Sequence, residues 1–235
     1  MAHSMTALLI IFAKEPRPGQ VKTRLSPPLS PEAAAQLYHC FILDILEEMA
    51  RVAKVRLAVA FSPGTAQGFF RRLAPPGTIL FPQEGADLGD RMARAFARSF
   101  AAGFGPVVLR GSDVPDLPAA VVSEANAVLA AGQAQVVLGP ATDGGYHLVG
   151  LTDPQPDLFR GPAWSSSTVL ADTLRLARQL GLRVHLLPPW PDIDTYDNLR
   201  TFLNRPRPAP QPGWRSREQA QRLLGLLQTN QRSKK

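Results

Sequence analysis

Short apolar runs alternate with helical patterns along most of the chain. The runs are "ALLIIFA" (7–13), "VRLAVAF" (55–61), "TILFP" (78–82), "PVVLR" (106–110), "AQVVLGP" (134–140), "YHLVGL" (146–151) and "RVHLLP" (183–188). Each is bounded by turn residues and predicts a strand. Between them lie helical stretches. Ser30 and Pro31 open one through "EAAAQLYHCFILDILEEMARV", as a cap and a first-turn proline do. A short helix is predicted over 66–73. "LGDRMARAFARSFAA" sets Leu88, Met92, Ala95, Phe96 and Phe100 on one face. "DLPAAVVSEANAVLAA", "STVLADTLRLARQLG" and "TYDNLRTFLNR" complete the series. The alternation predicts an α/β domain whose mostly parallel sheet is covered on both faces. In such sheets ligands sit at the carboxyl ends of the strands, which directs attention to the loops there.

The pattern changes after Asn204. "RPRPAPQPG" reads as an extended proline-rich linker. "SREQAQRLLGLLQ" reads as a final helix able to dock through Leu223, Leu224 and Leu227, and "TNQRSKK" as a disordered end. The division is therefore 1–204 for the main domain and 205–235 for a basic extension. Charge follows it: the net +7 arises entirely from 205–235, with eight basic residues and one acid, and the body is neutral. A neutral body is a poor footprint for nucleic acid, and none is expected as a partner. No apolar run reaches the ~18 residues of a membrane span. The first run lacks the basic lead and cleavage site of a signal peptide. The single cysteine, Cys40, lies in a helical pattern, forms no internal disulfide and suits the cytoplasm.

Several loops carry candidate chemistry. The first contains Lys14, Arg17, Lys22 and Arg24, shaped by Pro16, Pro18 and Gly19. Four cations there suit a polyphosphate, and equally a solvated basic loop. "GQVKT" lacks the earlier glycine of a phosphate loop, and there is no G-x-G-x-x-G motif. In "GSDVPDL", Asp113 directly follows a strand, where a hard carboxylate oxygen suits Mg²⁺. Asp116 precedes a helix start and reads as its cap. In "DIDT", Asp192 and Asp194 alternate and point the same way in extended chain. Asp194 or Thr195 also suits the cap of the next helix. Asp143 precedes Gly144 and Gly145, a pair that permits close backbone approach to a ligand or a tight hairpin. "PAWSSST" suits either a pocket wall or a capping stretch. His39, His147 and His185 have no clustered partners and read as structural.

"FAKEPRPGQVKTRLSPPL", "GADLGDRMARAF", "GSDVPDLP", "VVLGPATDGGYHLVGL", "WSSSTVL" and "DIDTYDNL" stand in the order found in the radical-SAM/selenodomain-associated transferases. That family is also described as arsenosugar-biosynthesis-type glycosyltransferases. It resembles the GT-A nucleotide-diphospho-sugar transferase superfamily, which includes guanylyltransferases. The resemblance covers about 6–204. It implies a three-layer α/β/α sandwich of GT-A type. It implies that Lys14, Lys22 and Arg24 meet the phosphates of a nucleotide, with Asp113, Lys22, Arg24 and Asp143 as the catalytic set. Asp113 would hold Mg²⁺ or Mn²⁺ on the diphosphate, with Asp192 or Asp194 as the second carboxylate. Gln83, Gly85, Asp87, Leu88 and Gly89 would approach the base. Asp143, Gly144, Gly145 and Trp164 would lie on the acceptor side. "SDVPD" stands where sugar transferases carry Asp-x-Asp.

The implied activity is metal-assisted transfer from a nucleotide-activated donor to a small-molecule acceptor, with glycosyl transfer first. With a nucleoside triphosphate and a phosphorylated acceptor, the same phosphate and metal pieces serve nucleotidyl transfer. A non-catalytic nucleotide-binding module would carry the same residues.

Overall fold

The computed structural model describes residues 5–164, 166–206 and 213–232. Seven strands form one sheet: β1 (Thr6–Lys14), β2 (Val55–Ser62), β3 (Ile79–Pro82), β4 (Phe104–Arg110), β5 (Val136–Pro140), β6 (Tyr146–Leu151) and β7 (Val184–Leu186). Their order is β3-β2-β1-β4-β6-β5-β7. All neighbours pair in parallel except β6, which runs antiparallel to both β4 and β5. The short link 141–145 leaves no room for a crossover helix, so β6 must return against β5.

Helices cover both faces. They are α1 (Pro31–Met49), α2 (Gln67–Leu73), α3 (Leu88–Ala101), α4 (Ala119–Ala130), α5 (Val169–Gln179), α6 (Tyr196–Asn204) and α7 (Trp214–Arg232). The near-continuous apolar character of β1 follows from burial on both sides. Leu9 and Ile11 enter one core, with Phe41 of α1, Val122 of α4 and Phe202 of α6. Leu8, Ile10 and Phe12 enter the other, with Met92 and Phe96 of α3 and Ala177 of α5. The α/β/α sandwich expected from the pattern is the observed fold. Among the described residues, no helix is long and apolar enough to cross a membrane.

Two local expectations are corrected. Asp116 does not cap α4. That helix begins after Pro118, and its first amide, Ala119 N–H, donates to Glu48 Oε1 of α1 at 2.8 Å. Asp116 is instead buried, accepting from Trp190 Nε1 at 3.0 Å and Arg205 Nη1 at 3.2 Å. Helix α7 also extends to Arg232, into the stretch expected to lack structure. Helix α7 lies against α1 with Ala220 and Leu223 buried and Leu224 and Leu227 half-buried. Asp44 of α1, itself buried, accepts from Ser216 N–H at 2.7 Å and Arg215 Nη1 at 3.2 Å. Most of the proline-rich linker (207–212) and the last three residues lie outside the described residues.

Candidate active site

A cavity of about 740 Å³ opens at the carboxyl edge of the sheet. Its walls come from the loops after β1, β3, β4, β5 and β7 and from the start of β6, as the strand-end rule expects. Of the expected residues, Lys14, Arg24, Gln83, Leu88, Asp113, Asp143, Gly145, Trp164, Asp192 and Asp194 line it.

Lys22 lies beneath the acids and joins two loops. Its side chain is 4% exposed. The ammonium donates to Asp113 Oδ1, to Asp194 Oδ1 at 2.7 Å and to Ile193 O at 2.7 Å. Three donors meet three acceptors, so the group is satisfied. Burial pushes its pKa down, but Asp113 and Asp194 outweigh that and hold it above the usual lysine value. A further link, Ile193 N–H to Asp113 O at 2.9 Å, ties the β4 loop to the β7 loop. Lys22 has φ 47°, a left-handed conformation that disfavours a side chain, and the three bonds help to hold it there.

Asp143, Asp192 and Asp194 each offer a carboxylate oxygen, and these oxygens lie within 4.8 Å of one another. Asp143 is oriented by its own turn, accepting from Gly145 N–H at 2.9 Å. Burial, together with Asp143 and Asp194, pushes the Asp192 carboxyl up to about 6. Asp194 is released from capping because Thr195 and Asn198 form a reciprocal capping box at α6. A set of hard carboxylate oxygens fits Mg²⁺ or Mn²⁺. Asp113 stands outside this trio and faces Lys22.

The glycines act mainly by allowing close approach. Gly144 has φ +91°, and a Cβ there would collide with Ser167 O. Its carbonyl accepts from Leu170 N–H at 2.9 Å, in the first turn of α5. A Cβ on Gly89 would collide with the Trp164 indole, and one on Gly85 would lie 2.7 Å from Arg91 N. Gly85, Asp87, Gly89 and Gly144 do not line the cavity; they shape its walls. Asp87 caps α3 through Asp90 N–H at 2.8 Å. Gln83 donates to the strand-end carbonyls Ala60 O at 2.8 Å and Ala13 O at 3.3 Å. Trp164 meets Tyr146 edge to face at 6.4 Å, and Ser166 and Ser167 join that wall. Ser165 lies outside the described residues.

Four site-shaping residues were not foreseen. The Tyr38 hydroxyl oxygen accepts from Lys14 N–H at 3.1 Å and is 2.6 Å from Ser112 Oγ. Burial pushes the Tyr38 phenol up to about 12, so it stays neutral. Arg110, 1% exposed, donates to Gly111 O at 3.1 Å and to Val114 O, bending the loop that carries Asp113. Burial lowers its pKa to about 10, still well above neutrality. A cation ending an otherwise aliphatic strand was the available signal. His147 lines the cavity from β6, and burial, then Arg110, pushes its ring down to about 3.

Known structures share this frame. The crystal structure of a provisionally named nucleotide-diphospho-sugar transferase from Desulfovibrio desulfuricans is 32% identical, with a TM-score of 0.86 over 96% of this chain and 98% of that one. Rv0371c from Mycobacterium tuberculosis, in complex with manganese, is 16% identical, with a TM-score of 0.52 over 86% of this chain and 100% of that one. The 4-diphosphocytidyl-2C-methyl-D-erythritol synthase of Anaerococcus prevotii is 8% identical, with a TM-score of 0.55 over 85% of this chain and 97% of that one. The last two show likeness of fold. No curated protein matches the sequence. Residues 45–166 match the bacterial family described as "Uncharacterized protein conserved in bacteria" (DUF2064), and the chain belongs to that family.

Proposed function

We propose that this protein transfers a sugar from a nucleotide-diphospho-sugar to a small-molecule acceptor with the help of Mg²⁺ or Mn²⁺. The observation that carries the reading is the meeting of Asp143, Asp192 and Asp194 in one strand-end cavity with Lys14 and Arg24. Its volume of about 740 Å³ suits a ligand of nucleotide-sugar size. The name carried by the Desulfovibrio desulfuricans relative agrees with it. Six ordered motifs extend the reading to the radical-SAM/selenodomain-associated transferases, acting in the cytoplasm.

The charges support a need for metal. Arg17 is paired with Glu15 at 2.6 Å, and Lys22 with Asp113 and Asp194. Lys14 and Arg24, the latter 4.0 Å from Asp194, are the cavity-lining cations for a diphosphate, which must approach four carboxylates. A bound divalent ion supplies the neutralisation of charge growing on the leaving diphosphate. Asp143, Asp192 and Asp194 would hold it. Lys22 and Asp113 fix the loops that present it. Gln83 and Leu88 border the nucleotide, and Trp164 and Gly145 the acceptor. The acceptor hydroxyl attacks the anomeric carbon, the bond to the diphosphate breaks, the nucleoside diphosphate leaves, and the hydroxyl proton passes to solvent.

A thermal-shift panel of nucleotide sugars and nucleoside triphosphates, with and without Mn²⁺, tests this. A donor at ~100 times its Kd stabilises the fold by about 2.7 kcal/mol. For a chain of this size that is a rise of roughly 5–10 °C. No shift with any nucleotide overturns the reading. Pyrophosphate release from a triphosphate would reassign the reaction to nucleotidyl transfer, and binding without turnover would make the protein a nucleotide-binding module.

A further inference from the structure

Asp194 faces cations on both of its oxygens, with Arg24 Nη1 4.0 Å from Oδ2. One oxygen accepts from the buried Lys22 ammonium at 2.7 Å. The same carboxylate is a member of the Asp143, Asp192 and Asp194 trio. A divalent ion bonds carboxylate oxygen at about 2.1 Å. An ion on the trio would therefore stand within roughly 5 Å of Nζ if it shares that Asp194 oxygen, and within about 7 Å if it takes the other, given the 2.7 Å bond to Asp194. Asp113, the fourth carboxylate, is likewise engaged by Lys22. The ammonium thus both repels the incoming ion and neutralises two of the four acids that would attract it. Because the side chain is only 4% exposed, solvent screens this repulsion weakly.

We propose that Lys22 is an internal counter-cation that keeps divalent-ion affinity low until a diphosphate arrives, so that ion and diphosphate bind synergistically. The inference rests on the functional reading above for both ligands. A diphosphate brings negative charge that offsets the repulsion between the two cations, and it offers the ammonium new acceptors. Lys22 is then a positioning residue whose charge sets an order of assembly. A lysine that served only as a clamp between the β4 and β7 loops would act in the opposite sense, since its loss would splay the carboxylates and weaken the ion.

The sign of one measurement decides. Mn²⁺ is titrated into full-length wild type, Lys22→Met and Lys22→Gln by isothermal calorimetry and by the free-Mn²⁺ EPR signal. Each titration is run alone and with inorganic pyrophosphate. Circular dichroism checks the fold, and Lys22→Gln, which keeps hydrogen-bond donors, serves if Lys22→Met does not fold. The expected result is Mn²⁺ binding to the variants alone that is tighter by about tenfold or more, the scale of one unit charge at such a distance. Pyrophosphate should raise Mn²⁺ affinity by a larger factor in wild type than in the variants. Unchanged or weaker Mn²⁺ binding by folded variants, or an equal pyrophosphate effect, overturns the inference and leaves the functional reading standing. Absence of Mn²⁺ binding to wild type under both conditions, with Asp192→Asn indistinguishable from it, overturns both.

Discussion

Replacing Asp116 with Ala should be among the most costly single changes outside the hydrophobic core. Asp116 is 1% exposed and joins three parts of the chain. It sits in the β4 loop, accepts from Trp190 of the β7 loop at 3.0 Å, and pairs with Arg205 after α6 at 3.2 Å. The Arg205 side chain is 15% exposed, so its charge would be left largely buried and without this carboxylate. Breaking a buried pair from one side costs about 3–5 kcal/mol. The orphaned indole N–H adds roughly 1 kcal/mol or more. Because the partners share one site, the two losses do not simply add. An overall cost of about 4 kcal/mol corresponds to a fall in Tm on the order of 10 °C. Urea unfolding at pH 7 measures it, and the double variant Asp116→Ala/Arg205→Met should recover part of the loss by removing the stranded charge. A cost below about 1 kcal/mol, or no recovery in the double variant, would refute the argument that Asp116 is a structural hub.

Other consequences can be measured separately. The folded state holds the Asp192 proton more tightly than the unfolded chain, with a pKa of about 6 against 3.8. Its contribution to stability is therefore most favourable below about pH 4 and declines as pH rises to about 6. Asp192→Asn should flatten that decline in Tm scans with EDTA and weaken Mn²⁺ binding at pH 7; an unchanged pH profile counts against the shifted carboxyl. Gly144→Ala should cost about 2 kcal/mol or more, because φ is +91° and the new Cβ meets the Ser167 backbone; thermal denaturation checks it. Asp44→Ala removes the buried acceptor of Ser216 N–H and of Arg215. It should loosen α7 and speed limited proteolysis near 213–217, and unchanged cleavage kinetics would contradict the docking argument.

The fold was legible because its signals are local. Leu8 to Phe12 is a short apolar run that reads as a strand buried on both sides, and "ATDGG" is too short to connect parallel strands. The loops bearing Lys14, Asp113, Asp143 and Asp194 followed from the strand-end rule, and they do line one cavity. Their partners were not legible. Lys22 reaches Asp113 and Asp194 across 91 and 172 residues, and no spacing argument registers such a pair. For the same reason Asp116 looked like a cap for a helix it adjoins, while the true acceptor at α4 is Glu48, 71 residues away. Gly85 and Gly89 matched positions near a nucleotide, yet their immediate role is to let Arg91 and Trp164 approach. A glycine permits closeness without specifying to what.

The charge of the C-terminal segment shows how a correct count can mislead about exposure. Residues 205–235 carry all the net charge, which read as a basic tail beside a neutral body. In the fold, Arg205 is engaged by the buried Asp116, and Arg215 by Asp44 and Glu47. Arg217 lies over the Phe202 ring at 4.5 Å and donates to Leu203 O at 3.3 Å. Arg205 and Arg215 complete internal pairs whose acidic halves were counted in the body. The neutrality of 1–204 is thus an arithmetic result that conceals carboxylates awaiting partners from the extension. Because Asp116 joins Arg205 to the loop that presents Asp113, the extension also bears on the geometry of the cavity. The segment that looked most separable by composition is tied, through two buried acids, to the elements that build the site.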